Sequence, residues 1–142
     1  FLSLGRVNRT FANRDLLKVT VAQSPTEEVD LPRSSADVRA NKPAAKRKVD
    51  LVHAHAAGND SGVSVAVVNL DLDEPQSVQI DVPVKTAKSI VKHTFTGDPR
   101  DTNLDAQKVE LKQENLDAST LTNGTLTLTL DPGAAVVLEI AK

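Results

Sequence analysis

The chain has 142 residues, of which 39% are hydrophobic and 25% are charged, and its formal net charge at pH 7 is −2. This length suits one domain with a two-sheet core, and the small net charge favours neither nucleic acid nor anionic lipid as a partner. The absence of cysteine excludes disulfides, thiolate nucleophiles and cysteine-based zinc sites. No apolar run approaches the roughly 20 residues that a membrane-spanning helix needs.

The first fifteen residues are polar and show no regular period, and the chain starts with Phe1 rather than methionine. No basic stretch followed by an apolar core and a cleavage site marks a secretion signal, so a cytoplasmic location is favoured over secretion. We therefore expect this chain to be a piece of a longer polypeptide, with residues 1–15 connecting it to a domain encoded upstream.

Alternating apolar side chains predict a first strand over residues 16–23, which Ser24-Pro25 ends because proline cannot donate to a ladder. Residues 31–48 have no period of 2 or 3.6 and are predicted to form a long surface loop with a basic end, Lys46–Lys48. A structureless loop of this length is unusual in a compact domain. It is expected to pack on a missing neighbour or to be mobile.

The rest of the chain is dominated by strand patterns. They are predicted at residues 49–56, 63–70, 78–82, 87–95, 109–112, 125–130 and 135–140. The segment 63–70 is apolar throughout, which predicts a central strand covered on both faces, and it is expected to form a hairpin with 78–82 across an acidic turn. In 125–130, three leucines alternate with three threonines, and burying each leucine contributes about 1.5–3 kcal/mol. Asn123-Gly124 is the strongest hairpin signal, because both residues tolerate positive φ.

These patterns predict an all-β fold, an antiparallel two-sheet β-sandwich of jelly-roll type, with about eight strands and little or no helix. The sandwich is expected to occupy residues 16–142 as a single domain. The loop at 31–48 would interrupt it.

His53, His55 and His93 are the candidate metal ligands. His53 and His55 project from one face of a strand, and His93 is the only other histidine that could complete the three or four ligands of a zinc site. The alternative is that the first two are ordinary polar strand positions and that His93 is semi-buried with its hydrogen bonds satisfied. We favour this alternative and expect neither a metal nor any other cofactor.

Carboxylates cluster in two predicted turns. Asp71, Asp73 and Glu74 could bind calcium, but they lack the glycine and the distal glutamate of an EF-hand loop, so a solvated turn is favoured. A second cluster, Asp98, Asp101 and Asp105, is interpreted in the same way, with Asp98-Pro99 shaping the turn. Nothing in the sequence marks a carboxyl as desolvated, as glycoside hydrolysis requires, so no catalytic residue is predicted.

Aromatic side chains are scarce. The chain has three phenylalanines and neither tryptophan nor tyrosine, which disfavours an aromatic sugar-binding platform and base stacking on nucleic acid.

Several turn and strand-end motifs occur in a recognisable order. They are Val68-Asn69, Asp73-Glu74-Pro75, Thr96-Gly97 with Asn103, and Pro132 with Val137-Leu138. In this order they resemble the C-terminal β-sandwich domain of α-L-arabinofuranosidases of glycoside hydrolase family 51. Residues 16–25 also resemble the chain that leaves the barrel domain of those enzymes.

The resemblance implies a parent enzyme that is a retaining hydrolase and releases terminal α-L-arabinofuranose from arabinose-containing polysaccharides. Both catalytic glutamates would lie in its (β/α)8 barrel, and no residue here matches either motif. This chain would be the accessory domain, with the barrel of the same polypeptide as its partner and a role in a homo-oligomer. The alternatives are the equivalent domain of another barrel glycosidase, such as an agarase, and a free-standing glycan-binding or adhesion module.

Overall fold

The computed structural model describes residues 2–96 and 110–142, except for the side chains of residues 2–4, 6, 7 and 96. The structure is 52% strand and 11% helix, which places it in the all-β class. Its elements are α1 (Leu2–Phe11), β1 (Asp15–Leu17), β2 (Thr26–Asp30), α2 (Ser35–Arg39), β3 (Lys46–Asp50), β4 (Val52–Asn59), β5 (Gly62–Asn69), β6 (Gln76–Asp81), β7 (Ser89–Thr96), β8 (Glu110–Leu116), a 3-10 turn (Ala118–Thr120), β9 (Thr125–Leu130) and β10 (Ala135–Ala141).

The strands form three antiparallel sheets. The largest has the order β1-β4-β5-β10-β7-β8, while β6 pairs only with β9 and β2 pairs only with β3. The large sheet and the β6–β9 sheet enclose one apolar cluster, which is the core of the sandwich. The predicted all-β antiparallel sandwich is therefore confirmed, with ten strands in the described residues rather than about eight.

The strongest sequence patterns are confirmed. Leu126 and Leu130 are buried in the core and Leu128 is half-buried, while Thr127 and Thr129 face solvent. In β5, Val63, Val65 and Val67 join the same core, while Ala66 joins Phe95 and Val137 in a second cluster on the outer face of the large sheet. The segment is thus covered on both faces, as its unbroken apolar run predicts. The Asn123-Gly124 turn is also present, with φ values of 53° and 91° and paired backbone hydrogen bonds between Thr122 and Thr125.

The N-terminal segment is helical, so the prediction of an irregular stretch over residues 1–15 is wrong. Helix α1 packs on the outer face of the large sheet, where Phe11 contacts the second cluster and the Ser64 hydroxyl donates to the carbonyl oxygen of Thr10 over 2.8 Å. Leu4, Val7 and Phe11 follow the i, i+3, i+7 spacing of a helix face. This spacing indicates a helix, but the polar composition of the segment obscured it.

The predicted loop at 31–48 is exposed almost throughout, as expected, but it is wrong in part, because residues 35–39 form a helix and residues 46–48 belong to β3. Strands β2 and β3 form a hairpin in which an acidic strand lies opposite a basic one, and Lys46 pairs with Glu28 over 3.0 Å. The connection between the two strands contains α2, whose N-cap Ser34 accepts from the amide of Asp37. The hairpin escaped prediction because it is exposed almost throughout and therefore lacks an apolar period.

Two further predictions differ from the structure. The strand predicted at 16–23 ends at Leu17, because the chain then leaves the large sheet. The predicted hairpin between 63–70 and 78–82 is wrong, since the turn after β5 carries the chain to the other sheet. The turn predicted at Asp98-Pro99 lies outside the described residues.

The segments that flank the sandwich strands at either end both form hydrogen bonds to the β4–β5 turn. The Asn59 side-chain amide donates to the carbonyl oxygen of Asn13 over 3.2 Å, and the amide of Lys142 donates to the carbonyl oxygen of Ser61 over 3.0 Å. The segment that precedes β1 and the segment that follows β10 therefore meet at the same turn.

Gly62 and Gly5 form a matched test of the close contact at the start of β5. A Cβ on Gly62 would collide with the backbone carbonyl oxygen of Ile140, whereas a Cβ on Gly5, in α1, would meet open space. We expect Gly62→Ala to lower the free energy of unfolding by about 1–3 kcal/mol. Gly5→Ala is expected to raise it by roughly 0.5–1 kcal/mol, since alanine is the better helix former. Urea unfolding of both variants checks the pair, and equal effects would contradict the close contact.

Candidate functional site

The three histidines lie on the same face of the large sheet but do not converge. His55 is opposite Ala66, which is opposite Val137, which is opposite His93, so three strand spacings separate the two histidines. At about 4.8 Å per spacing, this distance is about 14 Å, far beyond what one metal ion can bridge. His53 lies two residues from His55 along the same strand. Among the described residues, no group of three or more histidines and carboxylates could hold a metal ion.

His93 has a different environment from the other two histidines. It is only 1% exposed, and its Nε2 lies 2.7 Å from Oε1 of Glu139 on the neighbouring strand. Its Nδ1 is buried without a hydrogen-bond partner in the described structure. His53 and His55 are exposed, and Nε2 of His53 lies 3.0 Å from the carbonyl oxygen of Asp50. His93 therefore fits a packing position on the outer face of the sheet better than a ligand position. The expectation that it is semi-buried with its hydrogen bonds satisfied is wrong, because it is fully buried and Nδ1 has no partner among the described residues.

The acidic turn after β5 uses its first carboxylate to organise its own backbone. Oδ1 of Asp71 accepts from the amides of Asp73 and Glu74 over 3.0 and 2.9 Å, and Oδ2 accepts from the side-chain amide of Gln76 over 3.2 Å. The backbone hydrogen bonds from Asp73 and Glu74 hold the pKa of Asp71 below its ordinary value of 3.8. The geometry matches the solvated turn expected from the sequence. The second cluster, Asp98, Asp101 and Asp105, lies outside the described residues.

Asn69 is the centre of a contact that we call the turn junction, formed by residues 69–75 and 131–134. Its side chain is fully buried, and Nδ2 donates to the carbonyl oxygens of Glu74 and Asp131 over 3.0 and 3.1 Å. Its Oδ1 accepts from the amide of Asp71 over 3.0 Å. The amide of Gly133 donates to the carbonyl oxygen of Asp71 over 2.7 Å, so the two turns bind each other directly. The junction ties the end of β5 to the end of β9, and so one sheet to the other.

Hydrogen bonding shifts the pKa of several carboxyls, and in every described case of a resolved shift the pKa is lowered. The hydroxyl of Ser34 is the main cause for Asp37, the ammonium of Lys92 for Glu114, and the amide of Ser119 for Asp117. A general acid for glycoside hydrolysis needs the opposite shift, which burial in an apolar site produces. These carboxyls are therefore suited to holding turns and ion pairs rather than to donating a proton.

A groove of about 550 Å³ opens on the inner side of the sandwich. Its walls are strand β6, the inner faces of β4 and β5, and the segment from Leu17 to Pro25 that leaves the large sheet. Its floor is apolar, with Val63, Val65 and Val67 of β5 among the lining residues. No direct signal in the sequence marks this groove. No helix in the described part of the chain is both long and apolar enough to cross a membrane.

Replacing the buried histidine should lower stability far more than replacing the exposed one. We expect His93→Ala to lower the free energy of unfolding by about 2–4 kcal/mol, because it leaves a cavity and removes the hydrogen-bond partner of the Glu139 carboxyl group. His55→Ala, on the same face but exposed, should change it by no more than about 0.5 kcal/mol. Chemical unfolding monitored by circular dichroism measures both. A large loss for His55→Ala, or none for His93→Ala, would contradict this assignment.

Asp71 should make the fold sensitive to acid. Because its pKa is lower in the folded chain than the ordinary 3.8 of the unfolded chain, its carboxylate stabilises the fold above that value, and the stabilisation disappears as pH falls through the folded pKa. Asp71→Asn should therefore lower Tm at pH 6 and flatten the decline of Tm below pH 4. Thermal unfolding between pH 6 and pH 3 tests this. A decline of Tm in Asp71→Asn as steep as that of the wild type would refute the role of Asp71.

The comparisons with known proteins rest on structure. No family model matches the sequence, and no curated protein sequence matches it either. A crystal structure of an arabinofuranosidase matches with a TM-score of 0.65 and 21% identity over 88% of this chain. The α-L-arabinofuranosidase from Thermotoga maritima, solved with arabinose, matches with a TM-score of 0.61 and 20% identity over 89% of this chain. The family 51 enzyme from Thermotoga petrophila RKU-1 matches with a TM-score of 0.58 and 20% identity over 87%.

The match covers most of this chain but only a small part of each arabinofuranosidase. It covers 25%, 26% and 25% of the three arabinofuranosidase chains, so this chain spans about a quarter of the length of the structures it resembles. At 20–21% sequence identity, the match supports a conclusion about the fold alone. The chain thus has the fold of one segment of the α-L-arabinofuranosidases of glycoside hydrolase family 51.

Proposed function

We propose that this chain is the non-catalytic C-terminal accessory domain of an α-L-arabinofuranosidase that removes terminal α-L-arabinofuranosyl residues from arabinose-containing polysaccharides. The observation that carries the proposal is the fold match, which takes in 88% of this chain but only 25% of the arabinofuranosidase. The motifs that suggested the same family from the sequence support it independently of the fold. In this proposal, the remaining three-quarters of the enzyme contains the (β/α)8 barrel and the chemistry.

The chemistry of the described residues supports a structural role. Hydrolysis of a glycosidic bond needs two carboxyl groups roughly 5–10 Å apart, one of them with a raised pKa. The carboxyls with resolved shifts here all have lowered pKa values, and Asp37, Asp71 and Asp117 accept hydrogen bonds from their own turns. Such groups stabilise loops as anions and are poor proton donors at neutral pH.

The β2–β3 hairpin is the element that we assign to contact with the barrel. It is a separate two-stranded sheet outside the two layers of the sandwich, and its residues are exposed almost throughout. Its tip carries two partly exposed apolar side chains, Leu31 and Val38. A lone two-stranded hairpin is at best marginally stable in water, so a neighbouring surface would stabilise it. Burying Leu31 and Val38 against the barrel would supply part of that stabilisation.

Activity measurements separate the accessory domain from a catalyst and from a glycan-binding module. The isolated chain should not hydrolyse 4-nitrophenyl α-L-arabinofuranoside, while the polypeptide that contains it should. Calorimetric titration of the isolated chain with arabinan and xylan oligosaccharides should show no binding.

Removing the domain from the parent should lower the melting temperature of the barrel. Turnover or saturable binding by the isolated chain would contradict the proposal, and a parent that cleaves only other glycosides would point to the related barrel glycosidases.

A further inference from the structure

His53 and His55 form an exposed pair on β4 that has no part in the core or in the proposed function. Both side chains are exposed, while Ala54 between them packs against the core on the inner face of the sheet. Alternate residues of a strand point to the same side, so both imidazoles project from the outer face, with their Cα atoms about 6.6 Å apart. The pair is thus a candidate for binding one ligand with two rings.

The spacing of the two side chains suits a single metal ion. An imidazole nitrogen binds a transition-metal ion at about 2.0–2.1 Å, so two such nitrogens on one ion lie roughly 3–4 Å apart. Each ring turns about two side-chain torsions, and a modest lean of both rings closes the difference. His93 is separated from His55 by three strand spacings, or about 14 Å, and takes no part.

The hydrogen bond of His53 prepares its ring as a ligand. Nε2 lies 3.0 Å from the carbonyl oxygen of Asp50. A carbonyl oxygen only accepts, so this hydrogen bond requires the ring proton on Nε2 and leaves the lone pair on Nδ1. Histidines that bind metals commonly donate their other ring N–H to a backbone carbonyl or a carboxylate, which fixes the tautomer and the orientation of the ring. His53 therefore already has the tautomer of a ligand that binds through Nδ1.

The surroundings of the pair leave room for an ion and its water. On β5 the opposite residues are Val68 and Ala66, which are apolar and carry no charge. On the other flank, β1 pairs only with residues 56–58 of β4, so no described strand lies beside His53 and His55 there. An ion held by the two rings would keep its other coordination positions open to solvent.

We propose that His53 and His55 form a two-imidazole chelate for late first-row transition-metal ions, with Cu²⁺ bound most tightly and water completing the coordination. Nitrogen ligands favour Cu²⁺ over Ni²⁺ and Zn²⁺, whereas Mg²⁺ and Ca²⁺ prefer oxygen ligands. No group of three or more histidines and carboxylates is available among the described residues, so the site is an open surface chelate and not a closed structural zinc site. The chelate is a property of β4 and is independent of the proposed function.

Calorimetric titration of this chain with Cu²⁺ tests the chelate. The wild type should bind one ion at the pair, more tightly for Cu²⁺ than for Ni²⁺ or Zn²⁺, and should give no binding heat with Mg²⁺. His53→Ala and His55→Ala should each weaken Cu²⁺ binding about tenfold or more, to the level of the double variant, because a chelate needs both rings.

Three results of this titration would overturn the proposal. The first is a wild type that binds no Cu²⁺. The second is a pair of single variants that keep the wild-type affinity while only the double variant loses it, because the two imidazoles would then act independently. The third is a double variant with unchanged affinity, which would place the ion elsewhere on the chain.

Nuclear magnetic resonance offers a second test that needs no variant. Cu²⁺ is paramagnetic and broadens the amide signals of the residues around it. With less than one equivalent of Cu²⁺, the amides of residues 53–55 and of Ala66 on the neighbouring strand should lose intensity first. Thr127 and Thr129, on the solvent face of the other sheet, are the matched control and should lose it last. Equal broadening of the two sets, or earlier broadening of the control, would contradict binding at the histidine pair.

Discussion

The buried side chain of Asn69 is the contact on which the arrangement of the two sheets depends. Its amide satisfies carbonyl oxygens at the end of β9 and in the acidic turn, and its own oxygen holds the amide of Asp71. Each of those groups would cost about 1–3 kcal/mol if left buried and unpaired. Few other side chains could offer two donors and an acceptor in the same volume. The strand-end asparagine and the Pro132 turn that characterise the sequence therefore meet in space, and they specify how two layers join rather than a reaction.

The parts of the fold that could be predicted are those in which a single physical force dominates. Strands β5, β9 and β10 bury apolar side chains on one or both faces, so their period survives in the sequence. The β2–β3 hairpin sets an acidic strand opposite a basic one and faces water almost throughout, so no apolar period marks it. The partner of β6 could not be predicted, because it depends on the path of the turn junction between sheets.

Site prediction from sequence had a similar limit. Alternation along a strand correctly placed His53 and His55 on one face, but it carries no information about how many strands separate them from His93. Burial of His93 beside Glu139 depends on the order of strands in the sheet. The groove had an indirect signal, since the strand pattern of residues 16–23 continues for six residues beyond the point where pairing stops. Residues 18–23 therefore have the sequence of a strand but pair with no strand in the described structure.

The β4–β5 turn has a consequence for how such a domain can be rearranged. Because Asn13 and Lys142 both bond to this turn, the two flanks of the sandwich lie at the same end of the large sheet, on strands β1 and β10, which are three strand spacings or about 14 Å apart. A short glycine-rich linker could join them, and new termini could be opened at an exposed turn such as the one beside Asn123 without breaking a central strand. The architecture is thus suited to circular permutation.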